Sequence, residues 1–252
     1  MAFINIKFAS EALGMQTDIN VIVPQRSTNG EIGIENHAGD GAYKTLYLLH
    51  GLSDDNTIWM RRTSIERYAA RYGIAVVMPS AAKSFYTDMK HGDKYYTFIS
   101  SEVPNIAREF LHLSDKREDN TIAGLSMGGY GALKIALRNP EKFCAAAGLS
   151  SVADVKRFVE KMPDIDDDIF GRTVTDDDDL FALAEKCDLS PSKPRIFMGV
   201  GKQDFLYNDN IRLREKFESL SYDFTYRESE GIHSWDFWDE YIQYVLKWMY
   251  EI

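Results

Sequence analysis

Apolar and polar residues alternate along Phe3 to Phe8 and again along Thr17 to Val23, with Glu11 to Gly14 between them. That two-residue period predicts a pair of antiparallel strands at the start of a sheet, the second closed by Pro24. Further on the pattern changes to short apolar runs at Lys44 to Leu49, Ile74 to Met78, Thr121 to Ala123, Phe143 to Leu149 and Arg195 to Val200, with Asp223 to Glu228 completing the strands. Helix-forming stretches separate them, at Tyr130 to Leu137, near Asp209 to Leu220 and at Trp235 to Tyr250, the last an amphipathic helix. Two more helices are predicted, one opened by a Thr63 and Glu66 capping box and ended by Gly73, the other from about Ser101 to Leu113. Strands alternating with helices imply an α/β fold whose mostly parallel sheet is covered on both faces.

Two stretches fall outside this rhythm. Gln25 to Gly41 is polar and glycine-rich and reads as an exposed loop with His37 as a surface residue. Ala153 to Pro194 is longer than one crossover requires and carries acidic clusters at Asp166 to Asp168 and Asp176 to Asp179. We read it as a small lid insertion, at about residues 153–194, within a single domain spanning 1–252. The aspartates lack the D-x-[DN]-x-[DN]-G spacing of a calcium loop, and those before Leu180 suit a helix N-terminus, so no metal is expected there.

Composition narrows the class. With 29 Lys plus Arg against 39 Asp plus Glu, the formal net charge of -10 argues against binding phosphate backbones or anionic membranes. No stretch approaches the roughly 18–20 apolar residues of a membrane span, and the N-terminus lacks the basic start and apolar core of an export signal. Cys144 and Cys187 read as free thiols of a reducing compartment, so the cytoplasm is the expected location.

The chemistry starts at Asn120 to Lys134, NTIAGLSMGGYGALK, where an apolar run stops at Gly124-Leu125-Ser126-Met127-Gly128 and passes straight into a helix. This is the G-x-S-x-G elbow, a sharp strand-to-helix turn that holds a serine hydroxyl above the sheet end. A side chain at Gly124 or Gly128 would strike a neighbouring strand or helix, while Gly129 and Gly131 let the helix approach the sheet. A serine nucleophile needs a base, and the expected chain order is serine, acid, histidine. Of the five histidines only His233 lies beyond Ser126, directly after the last predicted strand. Asp204, in the turn after Phe197 to Gly201, is the acid; Asp209 is the competitor and better suits the first turn of the next helix. Oxyanion amides are expected from Met127, next to the serine, and from Leu52, after the strand ending at His50-Gly51, with His50 bracing that loop. Trp59, Tyr95, Tyr96 and Trp235 come from loops expected to surround Ser126, where each is either a pocket wall or a core filler.

The blocks LYLLHGLSDDNTIW (46–59), AGLSMGGYGALK (123–134), GKQDFLY (201–207) and GIHSWDFWDE (231–240) together resemble the esterase D-like branch of α/β-hydrolases, and most closely the tributyrin esterases of Gram-positive bacteria. The resemblance spans nearly the whole chain. It implies an α/β-hydrolase fold and hydrolysis of short-chain acyl esters by Ser126, Asp204 and His233 with Leu52 and Met127 as oxyanion donors, without a metal or organic cofactor. S-Formylglutathione hydrolases typically have D-H-S-Y-Y around the histidine and a histidine after the elbow glycines; Ile232-His233-Ser234-Trp235 and Tyr130 depart from that. The reading is therefore a serine carboxylesterase acting on a small-molecule ester, with a carbohydrate acetyl or feruloyl esterase as the alternative. A homo-oligomer is left open.

Overall fold

A computed structural model describes residues 1–25, 39 and 41–251; the expected loop between Gln25 and Gly41, with His37, lies almost wholly outside the described residues. Eight strands form one sheet: β1 (Ala2–Ser10), β2 (Met15–Val23), β3 (Thr45–Leu49), β4 (Ala75–Pro79), β5 (Asn120–Leu125), β6 (Ala145–Leu149), β7 (Arg195–Gly201) and β8 (Phe224–Ser229). Their order is β1-β2-β4-β3-β5-β6-β7-β8. β1 pairs antiparallel with β2 and β2 with β4, and every later pairing is parallel. This is the α/β-hydrolase arrangement, a largely parallel sheet led by an antiparallel N-terminal pair.

β3, β4, β5 and β6 are buried along their full length, as a parallel sheet covered on both faces requires. Alternation within β3 divides the core: Tyr47 and Leu49 enter one apolar cluster, Leu46 and Leu48 the other. The first cluster takes Tyr130 and Leu133 of α5 (Met127–Arg138) and Leu180 and Leu183 of α8 (Leu180–Asp188). The second takes Ile65 and Ala69 of α2 (Ile65–Tyr72) and Tyr241, Ile242 and Val245 of α10 (Trp235–Tyr250). α9 (Tyr207–Glu218) crosses between β7 and β8. Because β3, β5, β7 and β8 run parallel, the loops bearing His50, Ser126, Asp204 and His233 all leave the same edge.

Two local expectations are revised. The Thr63–Glu66 capping box does not form: Thr63 ends α1 (Ile58–Arg62), donates its hydroxyl to Trp59 O at 2.6 Å and accepts the Ile65 amide at 3.1 Å, a local turn that replaces the box. The helix expected from Ser101 begins earlier, as α3 (Tyr95–Thr97), a π-turn over Phe98–Glu102 and α4 (Val103–Phe110). Pro104 lacks the N–H that would bond Ser100 O, and Lys142 Nζ donates to that carbonyl instead, at 3.2 Å.

The 153–194 segment folds into α6 (Val155–Val159), α7 (Pro163–Phe170) and α8. It is fastened to the body of the fold. Phe158 and Phe170 pack on Phe85 with centroids 5.8 and 6.3 Å away, and α8 lies along α5. Four of the aspartates in its acidic clusters are paired: Asp167 with Arg172, Asp177 with Lys186, Asp178 with Lys134 and Asp179 with Lys156. Asp179 also caps α8 by accepting the Phe181 amide at 2.9 Å. Lys134 is fully buried, which pulls its pKa down to about 8 against the opposing pull of Asp178, and it also donates to Phe85 O and Thr87 Oγ1. Among the described residues no helix is long and apolar enough to cross a membrane.

Candidate active site

Between β5 and α5 the chain turns so sharply that Ser126 takes φ 54° and ψ -118°, a left-handed conformation costly for a residue with a Cβ. The turn persists because its flanks carry no side chains. A Cβ on Gly124 would lie 2.3 Å from Gly128 O, and one on Gly128 would lie 2.5 Å from Leu49 O. α5 therefore starts hard against the end of β3. Gly131 differs from its expected part, since the space at its Cα is filled by the Tyr86 ring rather than by the sheet.

At this edge Ser126 Oγ lies 3.0 Å from His233 Nε2, and His233 Nδ1 lies 2.9 Å from Asp204 Oδ2. A carboxylate only accepts, so Nδ1 carries the proton and Nε2 turns its lone pair to the serine hydroxyl. The Asp204 side chain is fully buried, and its second oxygen accepts the Leu206 amide at 2.9 Å. Asp209 is instead in the first turn of α9, paired with Arg157 and Arg212. The two loops carrying the acid and the histidine are laced together. Gln203 N donates to Gly231 O at 3.0 Å and Gly231 N to Gln203 Oε1 at 2.7 Å.

On the other side of Ser126, buried His50 grips the loop after β3. Its Nε2 accepts the Ala81 amide at 2.8 Å, which leaves the proton on Nδ1, donated to Gly51 O at 2.6 Å. Gly51 N donates to Asp54 Oδ2 at 3.2 Å, so Gly51 is held at both ends of the residue. Tyr86 OH adds a bond to His50 O at 2.8 Å. Burial is the main cause pulling the His50 pKa below its ordinary 6.5 and keeping the ring neutral. The Gly51 carbonyl and the Leu52 N–H belong to one planar peptide, so fixing the first aims the second. Met127 opens α5, where a first-turn N–H has no partner within the helix.

The four aromatic residues separate. Tyr96 accepts from Asn139 Nδ2 at 2.8 Å and lies under Arg138, about 18 Å along α5 from Ser126 at 1.5 Å per residue, so it is not at the site. Tyr95 is buried edge-on against Phe98, and Trp59 is buried with its Nε1 bonded to Leu49 O at 3.0 Å; both are core fillers. Trp235 lies against Trp59 and Trp238, and it is Trp238 that meets His233, centroids 4.8 Å apart. Phe205 covers the imidazole at 4.6 Å. Sequence reasoning passed over both Phe205 and Trp238, although Phe205 directly follows Asp204. Cys144 and Cys187 are free thiols, and no cluster of metal-binding side chains occurs among the described residues.

A partly exposed imidazole lined up with a serine on an elbow is the equipment of a hydrolase, and residues 10–249 match the Esterase family, described as "Putative esterase". The chain belongs to the Esterase family. It is a carboxylic ester hydrolase. The acetyl esterase of Caldicellulosiruptor saccharolyticus is 32% identical over 274 residues, covering 100% of this chain and 99% of that one. Among solved structures, the esterase is similar to FphF, a fluorophosphonate-binding serine hydrolase of Staphylococcus aureus in a substrate-bound form, with TM-score 0.88 and 34% identity over 100% of this chain and 99% of the other. It is also similar to the S-formylglutathione hydrolase FrmB from Staphylococcus aureus, with TM-score 0.86 and 34% identity over 99% of both chains.

Proposed function

We propose that the esterase hydrolyses short-chain acyl esters through an acyl-enzyme formed on Ser126. The observation that carries this reading is the unbroken line from Asp204 through His233 to Ser126, at 2.9 and 3.0 Å. His233 Nε2 takes the serine proton as Oγ adds to the ester carbonyl, and Asp204 holds the ring and offsets its charge. The oxyanion turns toward the amides of Leu52 and Met127, the first aimed by the His50 grip on Gly51. Collapse expels the alcohol with the proton from His233; water, activated by the same ring, then releases the acid. No step needs a metal or organic cofactor. The acetyl esterase relative supports a short acyl group, and the two free thiols suit a cytoplasmic setting. We take the chain as one hydrolase domain in which residues 153–194, starting where Val152 N donates to Ser126 O, wall one side of the site.

The test is Ser126→Ala: p-nitrophenyl acetate and butyrate turnover should vanish, and labelling by a fluorophosphonate with it, while the circular dichroism spectrum stays that of the wild type. Undiminished hydrolysis would falsify the assignment. A carbohydrate acetyl or feruloyl esterase would use the same machinery, and the acetyl esterase relative leaves the alcohol open. Relative rates on tributyrin, acetylated xylo-oligosaccharide, methyl ferulate and S-formylglutathione separate these substrates. Tyr130 bears on the last of them, since its buried hydroxyl is spent on Asp178 O at 2.7 Å.

A further inference from the structure

Six large apolar side chains stand exposed among the described residues: Phe3, Met15, Phe110, Leu189, Phe205 and Ile232. The first four are scattered over β1, β2, α4 and the turn after α8, as single surface apolar residues usually are. The last two are not scattered. Phe205 follows Asp204 and is 69% exposed; Ile232 precedes His233 and is 58% exposed. Phe205 lies against the imidazole with centroids 4.6 Å apart, opposed by the buried Trp238 at 4.8 Å.

We infer that Phe205 and Ile232 form the seat for the alcohol half of the ester and select alcohols that carry an apolar ring. This rests on the reading of Ser126 and His233 given above. The argument is one of direction. His233 Nε2 must return its proton to the leaving oxygen, so that oxygen comes within hydrogen-bond reach of the imidazole. The acyl chain and the oxyanion point away from it. Any substituent extending a few bonds beyond the leaving oxygen therefore passes along the surface beside the imidazole, where the Phe205 ring lies. Propping the imidazole occupies only part of that ring, and most of it remains available to a ligand.

The neighbouring polar groups on the same two loops are engaged with each other. Lys202 pairs with Glu230 at 3.4 Å, Gln203 Nε2 bonds Glu230, and Gln203 Oε1 accepts the Gly231 amide at 2.7 Å. With these groups satisfied, the pair of apolar side chains is what the seat offers. An aromatic alcohol and the C–H face of a sugar present the same chemistry to it, and the measurement includes both.

The experiment compares kcat/KM for benzyl acetate with that for ethyl acetate, two alcohols of similar leaving tendency, in the wild type, Phe205→Ala, Phe205→Tyr and Ile232→Ser. A parallel pair, ethyl butanoate and ethyl acetate, reads the acyl side, and a monoacetylated methyl xyloside reads the sugar. Phe205→Ala should lower the benzyl-to-ethyl ratio by about three- to tenfold, the worth of one aromatic contact, and leave the butanoate-to-acetate ratio unchanged. Phe205→Tyr should restore the ratio. A fall in the xyloside-to-ethyl ratio along with the benzyl ratio assigns the seat to ring faces generally; a fall in the benzyl ratio alone assigns it to aromatic alcohols. A purely structural Phe205 would instead depress all esters by one factor, and that result overturns the proposal. Fluorophosphonate labelling of each variant keeps the two readings apart: an unchanged benzyl ratio with labelling intact sinks the seat alone, whereas hydrolysis surviving Ser126→Ala sinks the serine mechanism. Should Phe205→Ala displace the imidazole and lose labelling, Ile232→Ser decides by the same ratio, with the aromatic ring left in place.

Discussion

Two histidines stand at the same edge of the sheet, and they have opposite relations to the proton. His50, on the loop after β3, is 1% exposed and bonded through both ring nitrogens to backbone, one accepting from Ala81 and one donating to Gly51. Adding a proton to it would set an N–H against an N–H. His233, on the loop after β8, is partly open to solvent and bonded to a carboxylate, which only accepts, and to a hydroxyl, which can donate or accept. Residue type is the same; what differs is whether the second nitrogen faces a partner that tolerates either state. One ring is a fixed strut, and the other is the one our proposed mechanism uses for transfer.

Removing the transferring ring should have the largest effect. His233→Ala is expected to cut kcat by about 10⁶-fold, the scale seen when a member acting as a unit with the serine is lost, with the unfolding transition little changed. Asp204→Asn keeps the shape but offers an amide N–H to Nδ1, favouring the wrong tautomer, and should cost about 10⁴-fold in kcat. His50→Ala frees the Gly51–Leu52 peptide without deleting its amide. We expect a loss of about tenfold to a hundredfold in kcat, short of the ~10²–10³ for an absent oxyanion donor, with KM little altered. If His50→Ala matched His233→Ala in kcat, the distinction between strut and shuttle would collapse.

The smallest effect is on stability. In the unfolded chain the His50 ring takes a proton near pH 6.5, and in the fold only at lower pH. Below 6.5 the unfolded state therefore holds more protons, and the His50 contribution to stability is lost as pH falls through that window. Urea midpoints at pH 7 and pH 5 should differ less in His50→Gln than in the wild type; an equal or larger drop in the variant would mean that His50 is protonated in the fold.

Periodicity revealed the sheet well because the strands are short apolar runs between clear stops, and chain order was enough to bring Ser126, Asp204 and His233 forward as one candidate set. What stayed hidden has a common physical cause: contacts between segments far apart in sequence. The start of the helix at Tyr95 depends on a π-turn and on Lys142 supplying the donor that Pro104 lacks. The loop from Ala81 to Lys94 buries Phe85 and Tyr86 at φ 50° and 52°, a strain that no local pattern announces and that contacts with His50, Gly131 and Lys134 hold in place. Tyr96 and Phe205 illustrate the same limit from both sides. Both are aromatics in predicted loops, but the first is drawn under Arg138 while the second follows the acid to the imidazole.

The lacing of the two loops that bear Asp204 and His233 sets how this site responds to thermal motion. A Cβ on Gly201 would lie 2.2 Å from Gly231 O, the Gln203 amide donates to Gly231 O and the Gly231 amide donates to the Gln203 side-chain Oε1, so the two loops are tied to each other. Acid and imidazole thus share a common-mode displacement, while Ser126 rides on a separate strand. Under the proposed mechanism, relative motion between these two parts falls on the one gap, serine to imidazole, that the proton crosses.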